Sequence, residues 1–267
     1  MINNMKNYKT IEFEIIEQVA TIWLNRPAVH NAFNDVMIAE LTESFTSVND
    51  MKDVVAVILR GKDRSFCAGV DINWMRDVAK QSYDENFSES KKLAKCFYNI
   101  YTCKKPTIAL VHGVALGGAN GLLSACDLAY CDDKATFSLS EVKIGIVPAC
   151  ISPYVIKRIG EYGAKDLMLT GKRIQGKEAE WFRLVNKSLE TYEKLEEYTY
   201  SIIDLLKSSG PNAIAHCKNL IYNISNVLSL DEAHDYTAKM IADIRASEEG
   251  QEGMAAFLEK RKPKWCE

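Results

Sequence analysis

Apolar and polar positions along the chain follow two successive patterns. Near the N-terminus, "IEFEII" and "VATIWLN" are rich in β-branched and aromatic residues and are separated by polar positions, which predicts an antiparallel strand pair. Asn34 is a good N-cap, and Val36, Ile38, Leu41, Phe45 and Val48 recur behind it at helical spacing. The run "VVAVILRG" has no polar face and reads as a strand covered on both sides. A loop, "KDRSFCAGVD", then leads to a helix beginning near Asp71.

The unit repeats. A helix through "SKKLAKCFYNIYTC" ends before Pro106, the strand "TIALVHG" follows, and a glycine turn opens the helix "NGLLSACD". "LAYCDD" and "ATFSLS" read as short strands. Successive β-turn-α units imply parallel pairing, hence an α/β core over residues 1–191. From 192 to 267 no strand pattern is evident. "YEKLEEYTYSIIDLLKSSG" closes at Gly210, Pro211 suits a first helical turn, Ser229 and Glu232 have capping-box spacing, and a last helix runs through "GMAAFLEKR".

Composition narrows the class. With 47% hydrophobic and 26% charged residues in a chain of 267, an ordinary globular protein is expected. The net charge of -3 offers no overall basic field, so neither nucleic acid nor an anionic membrane is an expected partner. The short basic tail "EKRKPKW" reads as a solvated helix end. Eight cysteines are scattered without a C-x-x-C pair, which points to buried thiols in a reducing compartment rather than to zinc or redox motifs. No secretory h-region and no run of about 18 apolar residues occurs, so the cytoplasm is the expected location.

Two segments carry candidate chemistry. "FCAGVD" and "ALGGAN" each follow an apolar strand and open a helix, so each offers free backbone N–H groups at a positive helix terminus. Side by side they would form a two-donor oxyanion hole, suited to a polarised carbonyl rather than to a pyrophosphate. His112, at the end of a buried strand, reads as a structural histidine, and Cys67 and Cys150 read as packing residues.

The ordered segments "LNRPAVHNAF", "FCAGVDINWM", "KPTIALVHGVALGGANGLLSACDLAY", "FSLSEVKIGIVPACISPYVIKRIG", "LTGKRIQGKEAE" and "FLEKRKPKW" resemble the enoyl-CoA hydratase/isomerase (crotonase) family over nearly the whole chain. The resemblance implies an α/β spiral of ββα units with a helical C-terminal trimerisation region, assembled as a homotrimer or a homohexameric dimer of trimers. It implies an acyl-CoA substrate and no separate cofactor or metal, coenzyme A being part of the substrate. The implied oxyanion donors are the N–H groups of Val70 and Gly118, with Gly117 beside them. Ala28, Ala68, Asp71 and Ile72 fall where the family holds coenzyme A, and Lys260 is the counterpart of a residue that meets its phosphate or adenine.

Hydratases of the family use two glutamates. Glu141 matches one; Gly121 stands at the position of the other. One acid is compatible with hydration, with isomerisation through a single proton shuttle, and with decarboxylation of a malonyl-type thioester; a non-catalytic acyl-CoA binder is the alternative outside enzymes. "RPAVHNAFN", "FCAGVDINWM" and "VKIGIVPACISPYV" are similar to the methylglutaconyl-CoA hydratase branch of leucine and isoprenoid catabolism, which favours hydration. Gly121 is then expected to leave room beside C3 for a methyl branch. Arg76, Lys143 and Tyr154 lie near enough in sequence to meet a distal substrate carboxylate, and none is singled out. Ala119, in place of a third glycine, is expected to be helical. Arg183 stands where the family has a glycine, and a left-handed conformation there would cost roughly 1 kcal/mol.

Overall fold

The computed structural model describes residues 7–266. Strands β1 (Ile11–Ile16) and β2 (Val19–Leu24) pair antiparallel, as the alternation predicts. Helix α1 (Asp35–Ser47), capped by the Asn34 side chain on the Met37 N–H, crosses to β3 (Ala56–Gly61), which lies parallel to β2. Helices α2 (Ile72–Val78) and α3 (Tyr83–Tyr101) lead to β4 (Thr107–Val111), with Val57 opposite Thr107. After β5 (Val114–Leu116) and α4 (Ala119–Ala125) come β6 (Leu128–Asp132) and β7 (Thr136–Ser138). Then follow α5 (Ser152–Thr170), β8 (Arg173–Gln175), α6 (Gly176–Trp181) and β9 (Lys187–Leu189). The C-terminal helices are α7 (Tyr192–Lys207), α8 (Pro211–Asn226), α9 (Leu230–Ala246) and α10 (Glu248–Glu259).

The main sheet has the order β1-β2-β3-β4-β6-β9, and a small second sheet has the order β5-β7-β8. β5, β8 and β9 are absent from the pattern-based expectation. Each has three residues, too few for a period-two signal, and each exists through pairing with a distant strand.

β3 and β4 are buried on both faces. Val57, Leu59, Ala109 and Val111 join the large core with Met37, Leu41 and Phe45 of α1 and Phe97 and Ile100 of α3. Ala56, Ile58, Ile108 and Leu110 face the other way, onto Leu195 and Ile203 of α7. Those two residues are fully buried, and such burial stabilises by about 1.5–3 kcal/mol each. The sequence-based boundary at 192 therefore marks the end of the strands, whereas the packed core continues through α7. Arg60 bridges the same face: it lies over the Trp23 ring and pairs with Glu196 at 2.6 Å.

Beyond α7, Lys218 of α8 reaches Asp127 at 2.6 Å, and Ser229 with Glu232 forms the expected capping box. Among the described residues no helix is long and apolar enough to cross a membrane. Arg183 has φ +63°, the left-handed conformation in question, and Ala119 is the first residue of α4.

Candidate active site

The two glycine turns meet. Cys67 N–H donates to Val114 O at 3.0 Å and Leu116 N–H to Cys67 O at 3.1 Å, so the segment before the first turn pairs with the strand that leads into the second. Gly69, at φ +91°, lies so close that a Cβ there would stand 2.7 Å from Leu116 O. Only glycine allows that approach.

Val70 is bracketed on its other side. Phe33 N–H donates to Gly69 O at 2.8 Å and Asp71 N–H to Phe33 O at 2.9 Å, so by alternation along an extended strand the Val70 N–H faces away from Phe33. Gly117, at φ +52°, donates to Ser138 O at 2.8 Å and delivers Gly118 to the N-cap of α4. A Cβ on Gly118 would stand 2.6 Å from the Phe33 ring, so that position also excludes a side chain. Among the described residues neither the Val70 nor the Gly118 N–H has a hydrogen-bond partner. Two unpaired donors on adjoining segments are the arrangement an anionic oxygen requires.

Glu141 comes to this place just beyond β7, the strand that pairs with β5. It opens a single 3-10 turn, Glu141–Ile144, closed by Gly145 at φ +78°. Its Oε1 lies 3.3 Å from where a Cβ on Gly117 would stand, and its Oε2 is buried without a hydrogen-bond partner. Burial pushes the carboxyl above the ordinary glutamate range, opposed in part by a backbone N–H of its own turn. A carboxyl that is half buried, has one oxygen without a partner and stands beside the turn that carries the Gly118 N–H is equipped to hold and release a proton.

Asn120 is a residue that pattern reasoning missed. Its fully buried amide nitrogen donates to Ala115 O at 3.2 Å, Gly117 O at 3.0 Å and Ser138 O at 2.9 Å. It thereby ties the second turn to β7, three residues ahead of Glu141. Its signal lay inside "GGANG", as an amide at a buried helical position.

Arg26 and Asn31 were also missed. Arg26 pairs with Asp71 at 2.7 Å and donates to Ala32 O at 2.6 Å, while Asn31 Nδ2 donates to Lys62 O and Ser65 O. Asp71 itself is 6% exposed, and its carboxylate also accepts from the Asn73 and Trp74 N–H groups. Burial works against that charge, but the guanidinium and the two N–H groups outweigh it and hold the carboxyl below its usual range. The Asp71 side chain is consequently committed to the protein, and so is its backbone, whose N–H donates to Phe33 O and whose carbonyl accepts from the Met75 N–H at 2.8 Å.

Ala28 lies exposed on the 3-10 turn Pro27–Val29, which the bond from Ala68 N–H to His30 O joins to the first glycine turn. Ile72, 67% exposed, stands at the start of α2 beside them. Lys260 is elsewhere in the packing: it is the left-handed C-cap of α10, whose main partners are α9 and α8.

The structure corrects the expectation for Gly121. A Cβ on Gly121 would stand 2.2 Å from Cγ2 and 2.8 Å from Cβ of Ile151, and 2.9 Å from Cε1 of Phe97. The absent side chain leaves no room for a methyl branch, because Ile151 and Phe97 already occupy the space.

His112 matches its structural reading: Nε2 lies 2.8 Å from Asp63 O, the ring packs edge-on against Tyr192, and burial lowers its pKa. Cys67 is fully buried, its thiol pushed up to about 12 by desolvation, and burial also raises Cys150. Arg76 is tied to Asn73 Oδ1 at 3.1 Å, Lys143 is exposed, and Tyr154 packs into an aromatic cluster with Phe97 and Tyr101.

Comparison with known proteins places this geometry. Residues 14–267 match the family model described as "Enoyl-CoA hydratase/isomerase". A peroxisomal Delta(3,5)-Delta(2,4)-dienoyl-CoA isomerase from Arabidopsis thaliana is 30% identical, over 98% of this chain and 99% of its own. The solved structure of an enoyl-CoA hydratase from Shewanella pealeana superposes with a TM-score of 0.92 at 36% identity, covering 97% of this chain and 96% of that one. Pseudomonas aeruginosa AtuE superposes with a TM-score of 0.94 at 35% identity, covering 97% and 100%.

Proposed function

The chain belongs to the enoyl-CoA hydratase/isomerase family, and from that premise we propose that it adds water across the C2=C3 double bond of a 2-enoyl-CoA, with 3-methylglutaconyl-CoA or a related branched acyl-CoA as substrate. The observation that carries the reading is the half-buried carboxyl of Glu141, its Oε2 without a partner, against the turn that presents the Gly118 N–H. In this reading the N–H groups of Val70 and Gly118 hold the thioester oxygen. Glu141 accepts a proton from water as the oxygen attacks C3, negative charge moves onto the thioester oxygen, and the proton on Glu141 passes to C2. Water is thus fully accounted for: hydroxyl at C3, hydrogen at C2, and the carboxylate regenerated.

Ala28, Ala68 and Ile72 would line the mouth where coenzyme A lies, Asp71 would hold that loop in place from within, and Lys260 would meet the phosphate or adenine. Coenzyme A is part of the substrate, and the reaction as written uses that substrate, water and the Glu141 carboxylate. Support for the branched substrate is the sequence similarity of "FCAGVDINWM" and "VKIGIVPACISPYV" to the methylglutaconyl branch, not a vacancy at Gly121. The cytoplasm and a homotrimer or hexamer complete the reading.

Isomerisation is the second reading, favoured by the presence of one free carboxylate and by the similarity to a dienoyl-CoA isomerase. Product analysis in ¹⁸O-labelled water separates the two. With 3-methylglutaconyl-CoA, a labelled 3-hydroxy product is expected. A shifted double bond from a 3-enoyl-CoA, with no label incorporated from either substrate, would make Glu141 a proton shuttle and overturn the hydratase reading.

A further inference from the structure

Gly121 is in the first turn of α4, three residues after Gly118, and it is buried. The atoms that crowd it are Cβ and Cγ2 of Ile151, the root of a β-branched side chain rather than its flexible end. Such a side chain has little freedom at χ1 and cannot swing clear. Its backbone is equally committed: Ile151 O accepts from the N–H groups of Tyr154 and Val155, both at 3.1 Å, as α5 begins. The third crowding group, Phe97, is fully buried in α3 and packs on Tyr154 with ring centroids 6.1 Å apart. The wall behind the turn is therefore hydrocarbon and stiff.

We propose that Ile151 is the specificity-determining residue that holds this site to a single acid: its branched side chain fills the volume behind α4 into which a side chain from position 121 would project, so that Ile151 and Gly121 require one another. The other carboxylate at the turns, Asp71, is occupied by Arg26 and by two backbone N–H groups. Glu141 is left to make both proton transfers. The steric part of the proposal stands on the packing alone, while the chemical part rests on the hydratase reading.

The two parts are tested in one set of variants. Gly121→Ala should lower the thermal midpoint sharply in the wild-type background, or prevent folding. In an Ile151→Gly background, which removes the two closest of the three crowding atoms and leaves Phe97 Cε1, at a position where glycine is an acceptable N-cap, the same change should cost markedly less. Equal effects of Gly121→Ala in the two backgrounds would overturn the lock.

The double variant Gly121→Glu/Ile151→Gly should then hydrate crotonyl-CoA about 10²-fold faster than Ile151→Gly alone, the lower end of what a positioned acid contributes. Steric coupling with an active wild type but no such gain would overturn the claim that Ile151 sets the number of acids. Steric coupling with no hydration by any variant, wild type included, would refute the hydratase reading and with it the chemical part, leaving the lock established.

Discussion

Glu141 combines proximity to the oxyanion turn with a carboxyl that burial holds above its ordinary value of 4.5. Two measurements follow from that. Glu141→Gln should fold and lose most turnover, by the 10²- to 10⁴-fold or so typical of a lost acid–base group, and a near-normal rate would remove Glu141 from the mechanism. In the wild type, the acid limb of the kcat/KM profile should lie above the ordinary glutamate range, because hydration needs the unprotonated form. For stability the sign is opposite to that of a salt-bridged acid. A folded-state pKa above the unfolded value means a contribution present below pH 4.5 and lost as pH rises through the folded value. Glu141→Gln should thus melt higher than wild type at pH 8, with the advantage shrinking as pH falls toward 4.5. Asn120 is the second residue to test. Asn120→Leu withdraws the donor from three carbonyls, so it should cost about 1–3 kcal/mol in denaturant unfolding. Because the turn and Glu141 share that anchor, kcat should fall more than KM rises.

Between elements, the first turn is held by a clamp whose parts come from separate segments: Arg26 before α1, Asn31 in the following loop, and Asp71 at the N-cap of α2. Asp71→Ala removes the cap and the ion-pair partner together. Loss of a cap alone typically costs about 0.5–2 kcal/mol. The thermal midpoint should fall accordingly, and kcat should drop with it as the Val70 N–H loses its fixed direction. Unchanged turnover in a folded Asp71→Ala protein would show that the clamp serves stability only. The segment "GVALGGANG" shows why periodicity stops short here: three residues of β5, a left-handed glycine and a helix of seven residues follow one another too quickly for any pattern to register.

At the scale of the molecule, the C-terminal helices leave large apolar groups in water. Leu230 is 92% exposed, Phe257 83% and Leu258 78%, and Ile221, Ile224 and Val227 are exposed as well. Apolar side chains exposed to this degree are what an oligomer covers. Sedimentation should give a homotrimer or hexamer, and Phe257→Asp combined with Leu258→Asp should shift it toward smaller species; a monomeric wild type would refute the assembly. In the basic tail, by contrast, Arg261 is spent inside the chain on Glu252 and Glu259.

The sequence by itself determined the α/β class, most of the helices with the Asn34 and Ser229 caps, the doubly covered strands, the two glycine turns and, through ordered motifs, the family. These are properties of local spacing and of residue types whose backbone preferences are their own. Tertiary structure alone decided that the turns touch, that Glu141 arrives beside Gly117, that Asp71 turns inward to Arg26, and that Ile151 fills the space behind Gly121. Each of these joins segments 20 or more residues apart. Contact at such separation is set by packing at close range, where the position of one methyl group decides whether a neighbour can carry a side chain.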